Sequence, residues 1–205
     1  MPAATERVRA HKAKPLAERR VVSSKKVAAQ IGTVAKVTRV AGAKDPGSAK
    51  AFISYSPAQG VDSFVQRIAE ATPMQLVEVE RRGVKGRFIK DFSRRIGVSA
   101  VRFYEILGVP KATVEKRSTE GTEITGAGGQ AAVAMAKLLA KAQEIVGNST
   151  SPAARDFDAA KWLGQWIERP QPALGGRKPA ELIGTPTGTE MVSRLLGAIE
   201  SGAYQ

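Results

Sequence analysis

An all-α fold is what this sequence predicts, and three observations predict it. Only 5% of the 205 residues are aromatic, and runs of Val, Ile, Tyr and Phe at the alternating spacing of strands are scarce. Glycine contributes 20 residues and proline 11, and they punctuate segments whose apolar residues recur at helical spacing. Hydrophobic residues make up 42% of the chain, enough for a buried core at this length.

The first segment does not join that core. Residues 1–50 carry 12 basic and 3 acidic side chains, out of a net charge of +13 for the whole chain. Their short Val/Ala runs are broken by Lys, Arg, Pro15, Gly32, Gly42, Pro46 and Gly47 and form no helical apolar stripe. Such a segment cannot bury enough surface to offset its ordering entropy. Residues 1–60 therefore read as a basic, disordered N-terminal arm. An arm of this charge attracts nucleic acid or anionic lipid, or else serves solubility, and its residues leave both open.

Helical structure is expected from Val61, where VDSFVQRIAEA puts Val61, Phe64, Val65 and Ile68 on one face. In TPMQ, Thr72 is placed to cap a helix over 73–82, with Pro73 at its first position and Gln75 completing a capping box. Gly83 stops it. A helix over 87–96 turns Phe88, Ile89, Phe92 and Ile96 inward and Arg87, Lys90, Arg94 and Arg95 outward. Ser99 caps a further helix to Leu107. Leu107-Gly108-Val109 is a tight turn, and Pro110 opens a short helix to about Ser118. Two short helices joined by a glycine turn suggest a helix-turn-helix, with Phe103, Leu107, Val109 and Val114 at its apolar positions. Tyr104 departs from that motif, since a small residue is usual where the two backbones approach closely.

After a Thr/Glu/Gly loop, 130–146 reads as an amphipathic helix with Val133, Leu138, Ala142 and Ile145 on its apolar side. NSTSPAA then breaks the chain, which divides a helical region over 61–147 from a C-terminal region over 148–205. The latter holds a helix at about 157–168, a Pro/Gly connector, a short helix from Pro179 and a final helix over about 188–200. That last helix directs Met191, Val192, Leu195, Leu196 and Ile199 inward.

Several chemistries are excluded or disfavoured by residue type. The chain has no cysteine and one histidine, His11 in the arm, so thiolate or imidazole catalysis, a disulfide framework and a Cys/His metal site are ruled out. The lack of cysteine fits a reducing cytoplasm. No apolar run approaches membrane-spanning length and no signal-peptide core follows the early charges. GAGGQA, from Gly126 to Ala131, fits a dinucleotide fingerprint, but a strand–helix–strand context is not expected around it. Asp156 and Asp158 lie beside a helix start, where they favour the positive end of its dipole. Neither a catalytic residue, a metal ligand nor a cofactor is assigned.

Two binding surfaces are suggested instead. From 81 to 102 there are eight Lys/Arg and one Asp, and with Lys111, Lys116 and Arg117 they suggest a phosphate-binding face. If the helix after Pro110 reads DNA, Lys111, Thr113, Lys116 and Arg117 enter the major groove, with Arg94 and Arg95 beside it. The second surface centres on Trp162 and Trp166, four residues apart and the only tryptophans in the chain. Such a pair is either core or an interface hot spot. It adjoins RPQPALGGRKPAEL, in which Pro170, Pro172 and Pro179 fix φ and Gly175 and Gly176 permit a sharp reversal. Leu174 is either a contact or the pin of that turn.

The succession AAKWL, PALGGRKPAEL and a Thr-Gly helix ending LLGAIESGAYQ resembles the C-terminal toxin-binding region of the Xre/MbcA/ParS-type antitoxins, partners of RES-domain toxins. Upstream, FIKDFSRRIGVSAVRFYEILGVPKATVEKR is similar to the family's Xre-like helical region and AMAKLLAKAQEIVG to the helix that follows it, so the resemblance covers about 85–205. It implies a non-enzymatic protein that silences a toxin of ADP-ribosyltransferase-like fold, which degrades NAD or transfers ADP-ribose from it. Trp162, Trp166, Leu174, Gly175, Gly176, Arg177, Tyr204 and Gln205 are the expected toxin-binding residues, the last two entering the toxin's NAD cleft. The resemblance further implies repression of the protein's own operon through operator DNA, and a homodimer within a toxin–antitoxin hetero-oligomer. A DNA-binding transcriptional regulator or nucleoid-associated protein without a toxin partner is the alternative.

Overall fold

Capping and apolar spacing place the first two helices where the sequence predicts them. In the computed structural model, α1 (Gly60–Ala69) buries Val61, Phe64, Val65 and Ile68. α2 (Pro73–Arg82) starts at a complete capping box between Thr72 and Gln75. Residues 52–200 are described; the arm to residue 51 and the residues beyond 200, Tyr204 and Gln205 among them, lie outside the described residues.

α3 (Gly86–Ile96) carries the most strongly segregated apolar face, burying Phe88, Ile89, Phe92, Ser93 and Ile96. Around it assembles a chain of aromatic rings: Tyr55 on Phe64 and Phe88, Phe88 on Phe92, and Phe92 stacked on Phe103 with centroids 5.5 Å apart. Tyr55 corrects the expected extent of the arm. It is buried and its hydroxyl donates to Asp91 Oδ2 at 2.7 Å, so the stretch leading into α1 belongs to the packed unit. The short stretch Phe52-Ile53-Ser54-Tyr55 forms no helical stripe, so periodicity gave no signal of this.

α4 (Ala100–Ile106) and α5 (Lys111–Glu120) form the expected helix pair. Ser99 caps the first, Gly108 turns the chain at φ 64°, and Phe103, Leu107, Val109 and Val114 are all buried. Tyr104 is accommodated too. Its ring is buried and its hydroxyl reaches Glu115 Oε1 at 3.4 Å, so the bulky residue lies between the helices with a polar partner.

Two short strands were not legible. β1 (Val84–Lys85) and β2 (Glu123–Ile124) pair antiparallel, Val84 opposite Ile124. Each is two residues long, too short for an alternating pattern to show. They tie the entrance of α3 to the entrance of α6 (Gly126–Gly147), a helix of 22 residues.

α6 departs from the simple amphipathic expectation. Ala131, Ala132, Val133, Met135, Ala136, Leu138, Leu139 and Ala142 are all buried, covering most of the circumference of its middle turns, and it contacts α1, α2, α7 (Ala159–Trp166) and α8 (Pro186–Glu200). Its alanines let neighbours approach from several sides. The core is accordingly continuous from Tyr55 to Leu196. Among the described residues no helix is long and apolar enough to cross a membrane.

In α8, Val192, Leu195 and Leu196 are buried and Ile199 is partly so, but Met191 is 46% exposed. This corrects its expected inward placement: Met191 lies outside the buried stripe of the helix.

Candidate binding surface

Two glycines of GAGGQA serve packing, and Gly126 takes a left-handed φ of 68°. A Cβ at Gly129 would stand 2.3 Å from the Ile124 carbonyl oxygen, and one at Gly128 would stand 2.2 Å from Val109 Cγ2. Both contacts are closer than real Cβ atoms approach, so the glycines are needed to seat α6 against β2 and the α4–α5 turn. A cleft of about 380 Å³ lies between α6 and α8, bordered by Gln130, Lys137, Thr185 and Thr189. Lys137 is held there by Glu80 at 2.6 Å, so its charge is already partnered.

Most of the cationic run from 81 to 102 is paired with carboxylates of the same protein, much of it at the surface. Arg87 and Arg94 both pair with Asp91, and Lys90 pairs with Glu115 at 2.7 Å. Arg95 reaches Asp62 on α1 at 2.9 Å and Asp158 at the mouth of α7 at 2.8 Å. Arg102 grips Glu168 with Nε and Nη2, at 2.7 and 3.3 Å. Of the expected DNA-reading residues, Arg95 is thus turned between helices, whereas Arg94 stays on the surface. On α5, Lys111, Lys116 and Arg117 are exposed and Thr113 is half-buried; Arg117 donates to Thr122 Oγ1.

The same arginines position the C-terminal region. Asp158 caps α7, accepting from the N–H groups of Ala160 and Lys161 at 3.1 Å while it holds Arg95. Burial raises its carboxyl, but the Arg95 hydrogen bond and the two backbone donors outweigh that, and it titrates below its ordinary value. At the other end of α7, the Arg102 hydrogen bond chiefly lowers Glu168, with Lys178 adding to the effect at 3.5 Å. For both carboxyls the folded value is depressed, so the stability they contribute is complete above their ordinary values of 4.5 and 3.8 and is lost as pH falls through the lower folded ones. Urea midpoints at pH 7 and pH 3.5 should therefore differ less for Glu168→Gln than for the wild type; an unchanged pH dependence would contradict this role.

Between these anchors, α7 approaches α3 at Gly164, where a Cβ would stand 2.0 Å from the Ile96 carbonyl oxygen. Leu163 and Ile167 are fully buried and Trp166 nearly so, while Trp162 is half-buried and stacks on Trp166 at 5.7 Å and 17°. Phe157, outside the helix, extends the stack, its ring 6.1 Å from that of Trp162.

The connector is closed upon itself. Gln171 is buried; its N–H donates to the Arg177 oxygen, and its own oxygen accepts from Leu174 and Gly176. The Gln171 side chain donates to the Arg169 oxygen at 3.1 Å. Pro172–Leu174 forms a 3-10 turn, after which Gly175 and Gly176 take φ of 65° and 79°, left-handed values that only glycine adopts without strain. Leu174 is buried and belongs to the hydrophobic core. Gly175, Gly176 and Arg177 are left at the surface. The Ala180 N–H then reaches back to the Ile167 oxygen at 2.9 Å.

The connector is thus a loop fixed by its own hydrogen bonds, following a helix held at both ends by ion pairs. Comparison with known proteins identifies the family. Residues 141–202 match the antitoxin Xre/MbcA/ParS C-terminal toxin-binding domain. The chain is also 31% identical over 147 residues to the Prs ADP-ribosylating antitoxin of Sphingobium sp. (strain YBL2), an alignment that covers 71% of this chain and 91% of that relative. The protein belongs to the Xre/MbcA/ParS antitoxin family.

Phe157 escaped the sequence reading. The helix expected at about 157–168 includes it, but five residues before Trp162 it does not share the tryptophans' helical face, and α7 in fact starts only at Ala159. The pairing of Arg95 and Arg102 with carboxylates 63 and 66 residues away was equally out of reach.

Proposed function

We propose that this protein neutralises a RES-domain toxin that degrades NAD or transfers ADP-ribose from it, by binding that toxin in the cytoplasm and catalysing nothing itself. The exposed Gly175, Gly176 and Arg177 of the connector and the half-buried Trp162 make the contact, while Trp166 and Leu174 hold that surface in shape. The residues beyond α8, Tyr204 and Gln205, enter the toxin's NAD cleft, where an aromatic ring suits a site built for a planar base.

The observation that carries this reading is the self-bonded connector inside the segment matched by the toxin-binding domain. An inhibitor that need not order its loop on binding avoids roughly 0.5–1.5 kcal/mol for each side chain otherwise immobilised. Repression of its own operon would use α5, whose Lys111, Lys116 and Arg117 face solvent, with Thr113 beside them and Arg94 as a flanking phosphate contact. Arg95 has no part in this, being held by Asp62 and Asp158. Two copies of the chain would then span the two half-sites of an operator, within a toxin–antitoxin hetero-oligomer.

Co-expression with the cognate toxin tests the reading. The full chain should preserve growth and cellular NAD or block target modification. A chain ending at Ser201 should still associate with the toxin yet leave it active. Equal protection by both would remove the cleft-blocking role of Tyr204 and Gln205, and absence of any association would remove the toxin-neutralising function.

A further inference from the structure

Among the described residues, six large apolar side chains stand exposed: Phe52, Met74, Val77, Val101, Phe157 and Met191. Phe157 and Met191 are the two that fall within residues 141–202, the segment matched by the toxin-binding domain. They differ in how they are held. Met191 projects from the edge of α8, whereas Phe157, 43% exposed, tilts onto Trp162, which in turn stacks on the core residue Trp166.

Its backbone is fixed as well. The Phe157 N–H donates to the Ala154 oxygen at 3.3 Å. The next residue, Asp158, is gripped by Arg95 and caps α7. A phenylalanine ring kept partly in water but braced against Trp162 has lost part of its rotamer freedom before any partner arrives, and preorganised aromatic anchors of this kind are favoured at binding hot spots.

We propose that Phe157 is the anchor by which this antitoxin docks into an apolar pocket of its toxin, with Trp162 as the floor of the contact and Trp166 as its foundation. The proposal rests on the toxin-neutralising reading above and adds a residue to it. The occupant is a protein: Phe157 lies within the segment matched by the toxin-binding domain, and an exposed aromatic ring suits an apolar pocket on a partner protein. The Arg95–Asp158 bridge then has a second consequence, because it sets the angle at which the ring is presented.

The test is the affinity of the purified full chain for its cognate toxin, with the toxin's catalytic centre inactivated, measured by calorimetry for the wild type, Phe157→Ala, Phe157→Trp and Met191→Ala. Phe157→Ala should weaken binding about 30-fold or more, the range of a hot-spot residue, with an unchanged circular dichroism spectrum and urea midpoint. Phe157→Trp should remain within a few-fold of the wild type, and Met191→Ala should match it. A wild type that binds together with a Phe157→Ala variant that binds equally well would overturn the Phe157 assignment alone. A wild type that does not bind would overturn the toxin-neutralising reading and this inference with it.

Discussion

Replacing Phe92 with alanine should destabilise this protein by about 3–5 kcal/mol, the cost of emptying an aromatic site in a packed core. Phe92 has no solvent exposure, lies between Phe88 at 5.2 Å and Phe103 at 5.5 Å, and sits on the helix that α1, α4, α5 and α7 all touch. Its loss would leave a cavity between Phe88 of α3 and Phe103 of α4, where neither ring can fill the space without moving a helix. Since native domains are stable by only about 5–15 kcal/mol, the variant should unfold at a much lower urea concentration. A loss below about 1 kcal/mol by equilibrium urea denaturation would mean that α3 does not organise the core.

Gly164→Ala should also destabilise, against the trend for helices. Alanine in place of glycine in a helix interior normally gains about 0.8–1 kcal/mol. Here the added methyl would stand 2.0 Å from the backbone oxygen of Ile96, and a backbone atom in a packed core cannot move aside as a flexible side chain can. Over-packing of this kind costs about 1–3 kcal/mol and sometimes more, so the clash outweighs the propensity. The expected readout is a lowered urea midpoint together with weakened toxin binding, because α7 must lift from α3 and carry Trp162 and Phe157 with it. Gly147→Ala, at the end of α6 where a Cβ would meet nothing within 4 Å, should by contrast be neutral or slightly stabilising. A Gly164→Ala protein as stable as the wild type would show that α7 is free to slide.

Much of the local structure was legible. Thr72 and Gln75, Ser99, Gly108 and the apolar stripes of α1 and α3 each act through neighbours within a few residues, and a pattern of that reach can be read from sequence. The connector was legible for the same reason, since three prolines and a Gly-Gly pair restrict φ wherever they are placed. What failed were inferences needing long-range contact: Tyr55 as core, Met191 at an edge, the two-residue strands and the central burial of α6.

The candidate surface divides along the same line. Composition and order of motifs marked Trp162, Trp166 and Gly175 to Arg177, but could not say which of them face solvent; Trp166 is packed inward, Trp162 lies half out and Gly175 to Arg177 are outside. Nor could the sequence tell a DNA-facing arginine from an internal bolt. Arg94 and Arg95 are adjacent and chemically identical, yet one stays at the surface and the other bridges two carboxylates on separate helices.

By itself, then, the sequence determined that the chain is helical, where several helices are capped or stopped, and where the chain must reverse. The tertiary structure alone decided which charges are paired within the fold and which rings stay exposed, because burial and ion pairing depend on groups brought together in space, as Arg95 and Arg102 are with carboxylates 63 and 66 residues away, a distance over which residue identity carries no record of neighbours.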